Sequence, residues 1–495
     1  MRQHLLVWIV SLLLAGSAQA STSGTPRAGG RAFADRLTLA PCRIAKETEP
    51  GKRMEVEARC GTFLVPENRR LARSRMLPLR LVILPSRSSR PREPVFILSG
   101  GPGQPATDQA QYYHGGWQTE NHDVVLLDLR GTGEGTALNC NLGGSDEDLQ
   151  GYLDGYLADG AGYAACRDGL QRRADLRQYT TMSAMKDLDE LRQALGYRRI
   201  NLEGGSYGTR AAITYIRMFP KRVHAALLFS LVPIENRAPL YHAAAAQRAF
   251  DLLVAQCRAD AACRAAYPDI AGDLRAVLER LRAEPARVRV PHPVTGLPTE
   301  VRLGASGFAD ALRVMLYSID SGRRVPLLLR RARAGDLGPF AEAALRSSRG
   351  FTQSIRAGLL LSFTCAEDVS RIRPAEVATE TAGSFIGAQR VRNQMAACSV
   401  WPKGDVPQDY YRPLRSQVPA ILVSGNLDPV TPPSWGEIAL RYFPNGIHIV
   451  LPGTHTPTND CVNDLGRRLF LTGAVRGLDG NCAAATTLPP FVLPQ

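Results

Sequence analysis

The chain has 495 residues, 44% hydrophobic and 21% charged, the composition of an ordinary globular protein with a large core and room for more than one structural unit. Its net charge of +14 comes from arginines scattered in short clusters such as Arg69-Arg70 and Arg330-Arg331-Ala332-Arg333. With no single polybasic tail, the charge reads as a solvated basic surface and argues against a nucleic-acid-binding protein.

The N-terminus has the layout of a secretory signal peptide over residues 1–20: Arg2, a mostly apolar run from Leu5 to Leu14, and the small-x-small site Ala18-Gln19-Ala20. The apolar run is too short to span a bilayer, and Ser17 stands where a lipobox would have cysteine. An exported protein without stable membrane insertion is expected, in a bacterial periplasm or outside the cell. The ten cysteines, an even number, fit an oxidising compartment: Cys42, Cys60, Cys140, Cys166, Cys257, Cys263, Cys365, Cys398, Cys461 and Cys482. Pairing between sequential neighbours is the expected pattern, although spacing alone does not prove connectivity. No C-x-x-C or H-E-x-x-H occurs, so no metal site is expected.

After a small, polar lead to Gly30, Arg53–Pro66 and Met76–Pro85 alternate apolar and polar residues as half-buried antiparallel strands do. Pro94–Leu98 and Asp123–Leu127 are continuous apolar runs that suit central parallel strands. Met182, Met185, Leu188, Leu191 and Leu195 have helical spacing, and Val223–Leu231 predicts another buried strand. From Pro233 to Trp401 the chain is rich in Ala, Leu and Arg with helical spacing, as in Leu240–Ala255 and Leu327–Leu345. One hairpin is predicted there at Val288–Leu303, turning at Thr295-Gly296. Two more strands follow, Pro419–Gly425 and Gly446–Leu451. Strands alternating with helices predict an α/β fold with a mostly parallel central sheet. The expected organisation is a first core part over 21–233, an inserted, mainly helical cap over 234–400, and a second core part over 401–495.

Gly204-Gly205-Ser206-Tyr207-Gly208 follows a short apolar run and precedes a helix-compatible stretch. This is G-x-S-x-G between strand and helix, where a strained turn exposes a serine nucleophile and small flanking residues let strand and helix approach. Asp428 and His455 lie downstream, each in a loop just past a predicted strand, in the chain order Ser, acid, His of an α/β-hydrolase triad. Leu98-Ser99-Gly100-Gly101-Pro102-Gly103 follows a strand, so the amide of Gly101, with Gly100 as its rival, and that of Tyr207 are the expected oxyanion donors. Glu367 and Asp368 could either hold a substrate ammonium or form a solvated pair at a helix terminus. Asp128–Gly135 mimics a dinucleotide fingerprint but has Thr136 where its last glycine should be, and no cofactor is expected.

Taken together, Gly100-Gly101-Pro102-Gly103, Asp128-x-Arg130-Gly131-x-Gly133, the Ser206 pentapeptide, Asp428-x-x-Thr431-Pro432 and Gly453-x-His455 resemble the proline iminopeptidase and tripeptidyl aminopeptidase family of α/β-hydrolases. Cys365-x-Glu367-Asp368, Cys398-x-x-Trp401-Pro402 and the segment from Pro419 are similar to its tripeptidyl branch. The resemblance runs from about Arg53 to Cys482. Ser99 departs from it, standing where proline iminopeptidases often carry histidine. The resemblance implies an α/β-hydrolase fold and an exopeptidase releasing short peptides or amino acids from free N-termini. Ser206 would attack, His455 would move the proton, Asp428 would orient His455, and Glu367 and Asp368 would read the amine. A small-molecule esterase or lipase is the alternative on the same fold. A catalytically inactive envelope binding protein is the alternative of another class.

Overall fold

The computed structural model describes residues 33–49, 52–158, 160 and 162–494. The expected signal peptide over 1–20 lies outside the described residues. In chain order the strands are β1 (Leu37–Glu49), β2 (Lys52–Pro66), β3 (Met76–Leu84), β4 (Val95–Leu98), β5 (Val124–Leu127), β6 (Ile200–Gly205), β7 (Val223–Phe229), β8 (Ala286–Pro291), β9 (Pro298–Leu303), β10 (Ala420–Gly425) and β11 (Gly446–Leu451). All but β8 and β9 join one nine-stranded sheet, in the order β1-β2-β3-β5-β4-β6-β7-β10-β11. The first three strands and β5 pair antiparallel, and the sheet is parallel from β5 to β11. The mostly parallel sheet is the one expected from the alternation of strands and helices, and the fold is the α/β-hydrolase fold that the family resemblance implied.

Every residue of β4, β5 and β10 is buried, which is why these strands read as unbroken apolar runs. Along β4 the side chains alternate between two cores. Phe96 and Leu98 join a cluster with Leu188 and Ile213, while Val95 and Ile97 join one with Leu465 and Phe470. Those helical partners lie on α1 (Thr181–Ala194), α2 (Tyr207–Met218) and, later in the chain, Asp460–Thr472. Thr180 caps α1 by accepting from the Ser183 N–H.

Between β7 and β10 the chain is mainly helical. Its longer helices are α3 (His242–Ala259), α4 (Ile270–Ala283), α5 (Ala305–Met315), α6 (Ile319–Arg333), α7 (Gly338–Ser354), α8 (Ala357–Glu367) and α9 (Gln389–Val400); α10 is Asp460–Thr472. Helices α3 to α7 share a core of their own with Leu149, Tyr152 and Leu153, and the β8–β9 hairpin packs on it through Val288, Val290, Val301 and Leu303. Helix α8 instead packs against the main sheet cluster through Leu359, Leu361 and Phe363. Disulfides link Cys42–Cys60, Cys140–Cys166, Cys257–Cys263, Cys365–Cys398 and Cys461–Cys482, the fourth tying α8 to α9.

Two local features differ from the sequence reading. The apolar spacing of Leu327–Leu345 is divided between α6 and α7, because the chain turns at Gly335 with φ of 101°. β1 is not among the predicted strands: its alternation, Leu37-Thr38-Leu39 and Cys42-Arg43-Ile44, is interrupted at Ala40-Pro41, and it forms an edge strand held by pairing with β2 and by Cys42–Cys60.

Candidate functional site

Ser206 sits between β6 and α2 with φ 56° and ψ −125°, a conformation that costs a non-glycine residue roughly 1–3 kcal/mol and is held by its surroundings. Its N–H donates to the Phe229 carbonyl at 2.8 Å, tying the turn to the end of β7. A Cβ on Gly204 would lie 2.7 Å from the Gly208 carbonyl oxygen, and one on Gly208 would lie 1.9 Å from that of Leu98. Only glycine lets β6, α2 and β4 approach this closely, and the strain keeps the Ser206 side chain facing the cavity.

Asp428 is fully buried past β10. Its Oδ1 accepts from the Val430 and Thr431 amides at 2.9 and 2.8 Å. Its Oδ2 accepts from the Ser230 and Thr431 hydroxyls and faces His455 Nδ1 at 2.8 Å. Burial alone would raise its pKa, but the His455 charge, its hydrogen bond and the backbone donors outweigh that and hold it at about 2. Ser230 also accepts from the Thr456 N–H at 2.8 Å, so one hydroxyl joins the acid to the loop that carries the histidine. Tyr317 packs edge-on to the His455 ring, with centroids 4.9 Å apart.

Ser206 and His455 line one cavity of about 700 Å³, without a direct hydrogen bond between them among the described residues. Catalytic hydrogen bonds often tighten only once substrate is bound. Gly100, Gly101 and Tyr207 line the same cavity. Tyr207 opens α2, so its amide has no acceptor within the helix. The Tyr207 ring stacks on Phe363, and its hydroxyl shares a 2.8 Å hydrogen bond with Thr181.

The expected pair of amine readers is not presented to the cavity as a pair. Glu367 is buried, accepting from the Thr181 N–H at 2.6 Å, the Thr181 hydroxyl at 2.8 Å and the Tyr410 hydroxyl at 2.9 Å. It is absent from the cavity lining and fastens the start of α1 beneath Tyr207. This corrects the reading of Glu367 as a substrate contact: its oxygens already have three donors. Asp368 does line the cavity, but its charge is met by Arg210 and, at 3.3 Å, by Arg371. The Asp128 and Arg130 motif is structural in its contacts. Asp128 accepts from the Thr107 amide and hydroxyl, and buried Arg130 pairs with Asp187 at 2.7 Å.

The sequence reading passed over Glu203, three residues before Ser206. It is buried, lines the cavity, and accepts from the Tyr113 hydroxyl at 3.0 Å and the Gln118 amide at 3.1 Å. Burial pushes its pKa up to about 7, because these neutral donors only partly offset the loss of water. No cation pairs with it among the described residues. A charged residue inside an otherwise apolar strand, Asn201-Leu202-Glu203, was its signal in the sequence.

Comparisons with known proteins agree with this architecture. Residues 93–266 match the family described as alpha/beta hydrolase fold, and residues 383–482 match the family described as TAP-like protein. The chain is 26% identical over 473 residues to the serine protease Hip1 of Mycobacterium tuberculosis, covering 86% of this chain and 87% of that one. It is 27% identical over 130 residues to a proline iminopeptidase of Xylella fastidiosa, covering 26% of this chain and 29% of that one. Among solved structures, the proline iminopeptidase of Mycobacterium smegmatis superposes with a TM-score of 0.40 at 13% identity, over 83% of this chain and 98% of that one.

Proposed function

We propose that this chain, an α/β-hydrolase with a TAP-like C-terminal segment, is a serine peptidase that cleaves short peptides from a free N-terminus. The observation that carries the reading is the bonded Asp428–His455 pair facing the same cavity as a strained Ser206. In this mechanism Ser206 Oγ attacks the carbonyl carbon while His455 Nε2 takes its proton. Asp428 holds the ring through Nδ1 and stabilises the imidazolium that forms. The amides of Gly101 and Tyr207 hold the oxyanion, a contribution of about a hundred- to a thousandfold per donor. His455 then protonates the leaving amine, and water releases the acyl group by the same steps in reverse.

Glu203 takes the role of amine reader in place of Glu367 and Asp368. Asp368 is already neutralised by Arg210, whereas Glu203 is a buried carboxylate that no cation pairs with among the described residues, three residues from the nucleophile. A substrate ammonium there gains charge-assisted hydrogen bonds in a low-dielectric site. The helical segment over 234–400 acts as the cap, closing the cavity with Asn236, His242 and Arg313. The disulfides and the expected signal peptide support an exported protein in an oxidising compartment.

Ser206→Ala assayed on aminoacyl and tripeptidyl chromogenic amides, with free and acetylated amino ends, tests the reading. Loss of hydrolysis by at least roughly 10⁴-fold is expected, together with preference of the parent enzyme for free amines. Undiminished hydrolysis in the variant overturns the triad. Cleavage of esters alone, indifferent to the amino end, overturns the peptidase reading in favour of a small-ester hydrolase.

A further inference from the structure

The helical part of the cavity wall carries a charge that no hydrogen bond or ion pair meets among the described residues. Arg390, near the start of α9, lines the cavity and is 9% exposed. Its guanidinium makes no hydrogen bond and no ion pair among the described residues, and its Nη1 is buried without a partner. The Tyr156 ring centroid lies 5.1 Å from its guanidinium carbon. Arg313 nearby does not share this condition: it donates to Asp310 and to the Tyr317 hydroxyl, each at 3.0 Å. Asp310 accepts its hydrogen bond from Arg313 and acts on Arg390 only through space, so Arg390 has no directly paired carboxylate among the described residues. An arginine does not shed its proton in a protein, so this is a standing, desolvated positive charge.

Gln394 lies one helical turn further along α9 and also lines the cavity. Its Nε2 donates to the Thr364 hydroxyl at 2.6 Å, which leaves its Oε1 buried without a donor. One helix face thus offers a planar cationic donor and, four residues on, a neutral acceptor. The C-terminal end of a peptide presents the complement, a carboxylate beside a backbone N–H. The patch stands on the histidine side of the site. Tyr156 packs on Phe351 at 5.4 Å, Phe351 on Tyr317 at 6.1 Å, and Tyr317 on His455 at 4.9 Å.

We propose that Arg390 and Gln394 form a subsite for a substrate carboxylate, so that the preferred substrates are short peptides with both ends free. The proposal deepens the peptidase reading and rests on it for the word peptide, while the carboxylate subsite itself does not. Glu203 and Arg390, which line the same cavity, then read the two ends of the substrate. An acidic side chain offers the same chemistry as the α-carboxylate, and the experiment separates the two sources.

The unmodified protein is assayed first, on tripeptides as free acids and C-terminal amides, and on the same amides with Asp or Glu exchanged for Asn or Gln. A third pair is phenyl acetate and 4-acetoxybenzoate, which differ only by a carboxylate on the leaving group. A preference in kcat/KM of roughly tenfold to a hundredfold for the anionic member is expected. The free-acid series should show it if the α-carboxylate is read, and the side-chain series if an acidic residue is. In Arg390→Gln the ratio should collapse to within about twofold, and in Arg390→Lys most of it should survive, with melting temperatures checked for both variants. Preference in the ester pair without peptide cleavage removes the peptidase reading and leaves the carboxylate subsite standing. No anionic preference in any pair, or a preference unchanged in Arg390→Gln, overturns the proposal.

Discussion

Asp428 and Glu203 belong to two ends of one sheet-lined site, both buried, yet they settle at opposite ends of the carboxylate range. Asp428 lies beyond β10 among two backbone amides, two hydroxyls and an imidazole, and its pKa is about 2. Glu203 lies within β6 against a phenol and a carboxamide, and its pKa is about 7. Burial pushes both upward. The difference is made by partners: a chargeable histidine and converging N–H donors reward the anion at Asp428, while Glu203 has only neutral donors. One end is complete before substrate arrives, and the other waits for a cation.

The largest effect that could break this contrast is on catalysis. Asp428→Asn should lower kcat by roughly 10³–10⁴-fold, because a carboxamide cannot hold the imidazole in its working tautomer or stabilise its cation. Steady-state kinetics checks it, and near-normal turnover would dissolve the distinction between the two carboxylates. Next, Glu203→Gln should reduce the ratio of kcat/KM on free-amine over acetylated peptides by roughly tenfold. In the parent enzyme that ratio should climb as pH rises through about 7 and Glu203 ionises. Taking the ratio cancels the titration of the triad, and a flat ratio across that range would remove Glu203 from substrate recognition.

Stability sharpens the same comparison. The native pKa of Glu203 is raised from 4.5, so the unfolded chain loses this proton first, and the group removes stability as pH rises from 4.5 through about 7. Glu203→Gln should therefore melt higher than the parent at pH 8 and lose that advantage at pH 4, with a difference on the order of 3 kcal/mol at most. Asp428 has the opposite sign. Its pKa is lowered from 3.8, so its contribution is present above 3.8 and is lost as pH falls through about 2. The smallest effect is expected at Thr431. Thr431→Val keeps the backbone donor to Oδ1 but removes the hydroxyl that reaches Asp428 at 2.8 Å and His455 at 3.3 Å. It should lower kcat by roughly tenfold, read from the same kinetics.

Much of the fold and part of the site were legible because they follow from local rules. Unbroken apolar runs at β4, β5 and β10 announce strands covered on both faces, and the glycines around Ser206 announce a turn that tolerates no side chain. Motif order singles out Ser206, Asp428 and His455, and the fold brings them to one site. Glu367 shows the limit of the same reasoning. Two adjacent acids near a helix end read as a pair, but a helix turns successive side chains in different directions. One fastens Thr181 and Tyr410, and the other faces the cavity against Arg210. β1 was passed over for a different reason: its alternation is interrupted at Ala40-Pro41, and a proline, which cannot donate to a ladder, reads against a strand except at a sheet edge.

The sequence by itself determined the alternation of strands and helices, the strained serine turn and the loop motifs that carry the acid and the histidine, each of which depends on residues within a few positions of one another. Tertiary structure alone decided which charges are answered. Asp368 is neutralised by an arginine 158 positions away, while among the described residues Glu203 pairs with no cation and Arg390 with no carboxylate. Pairing of charges depends on distance through space and on exclusion of water, and neither is written in the spacing of residues along a chain.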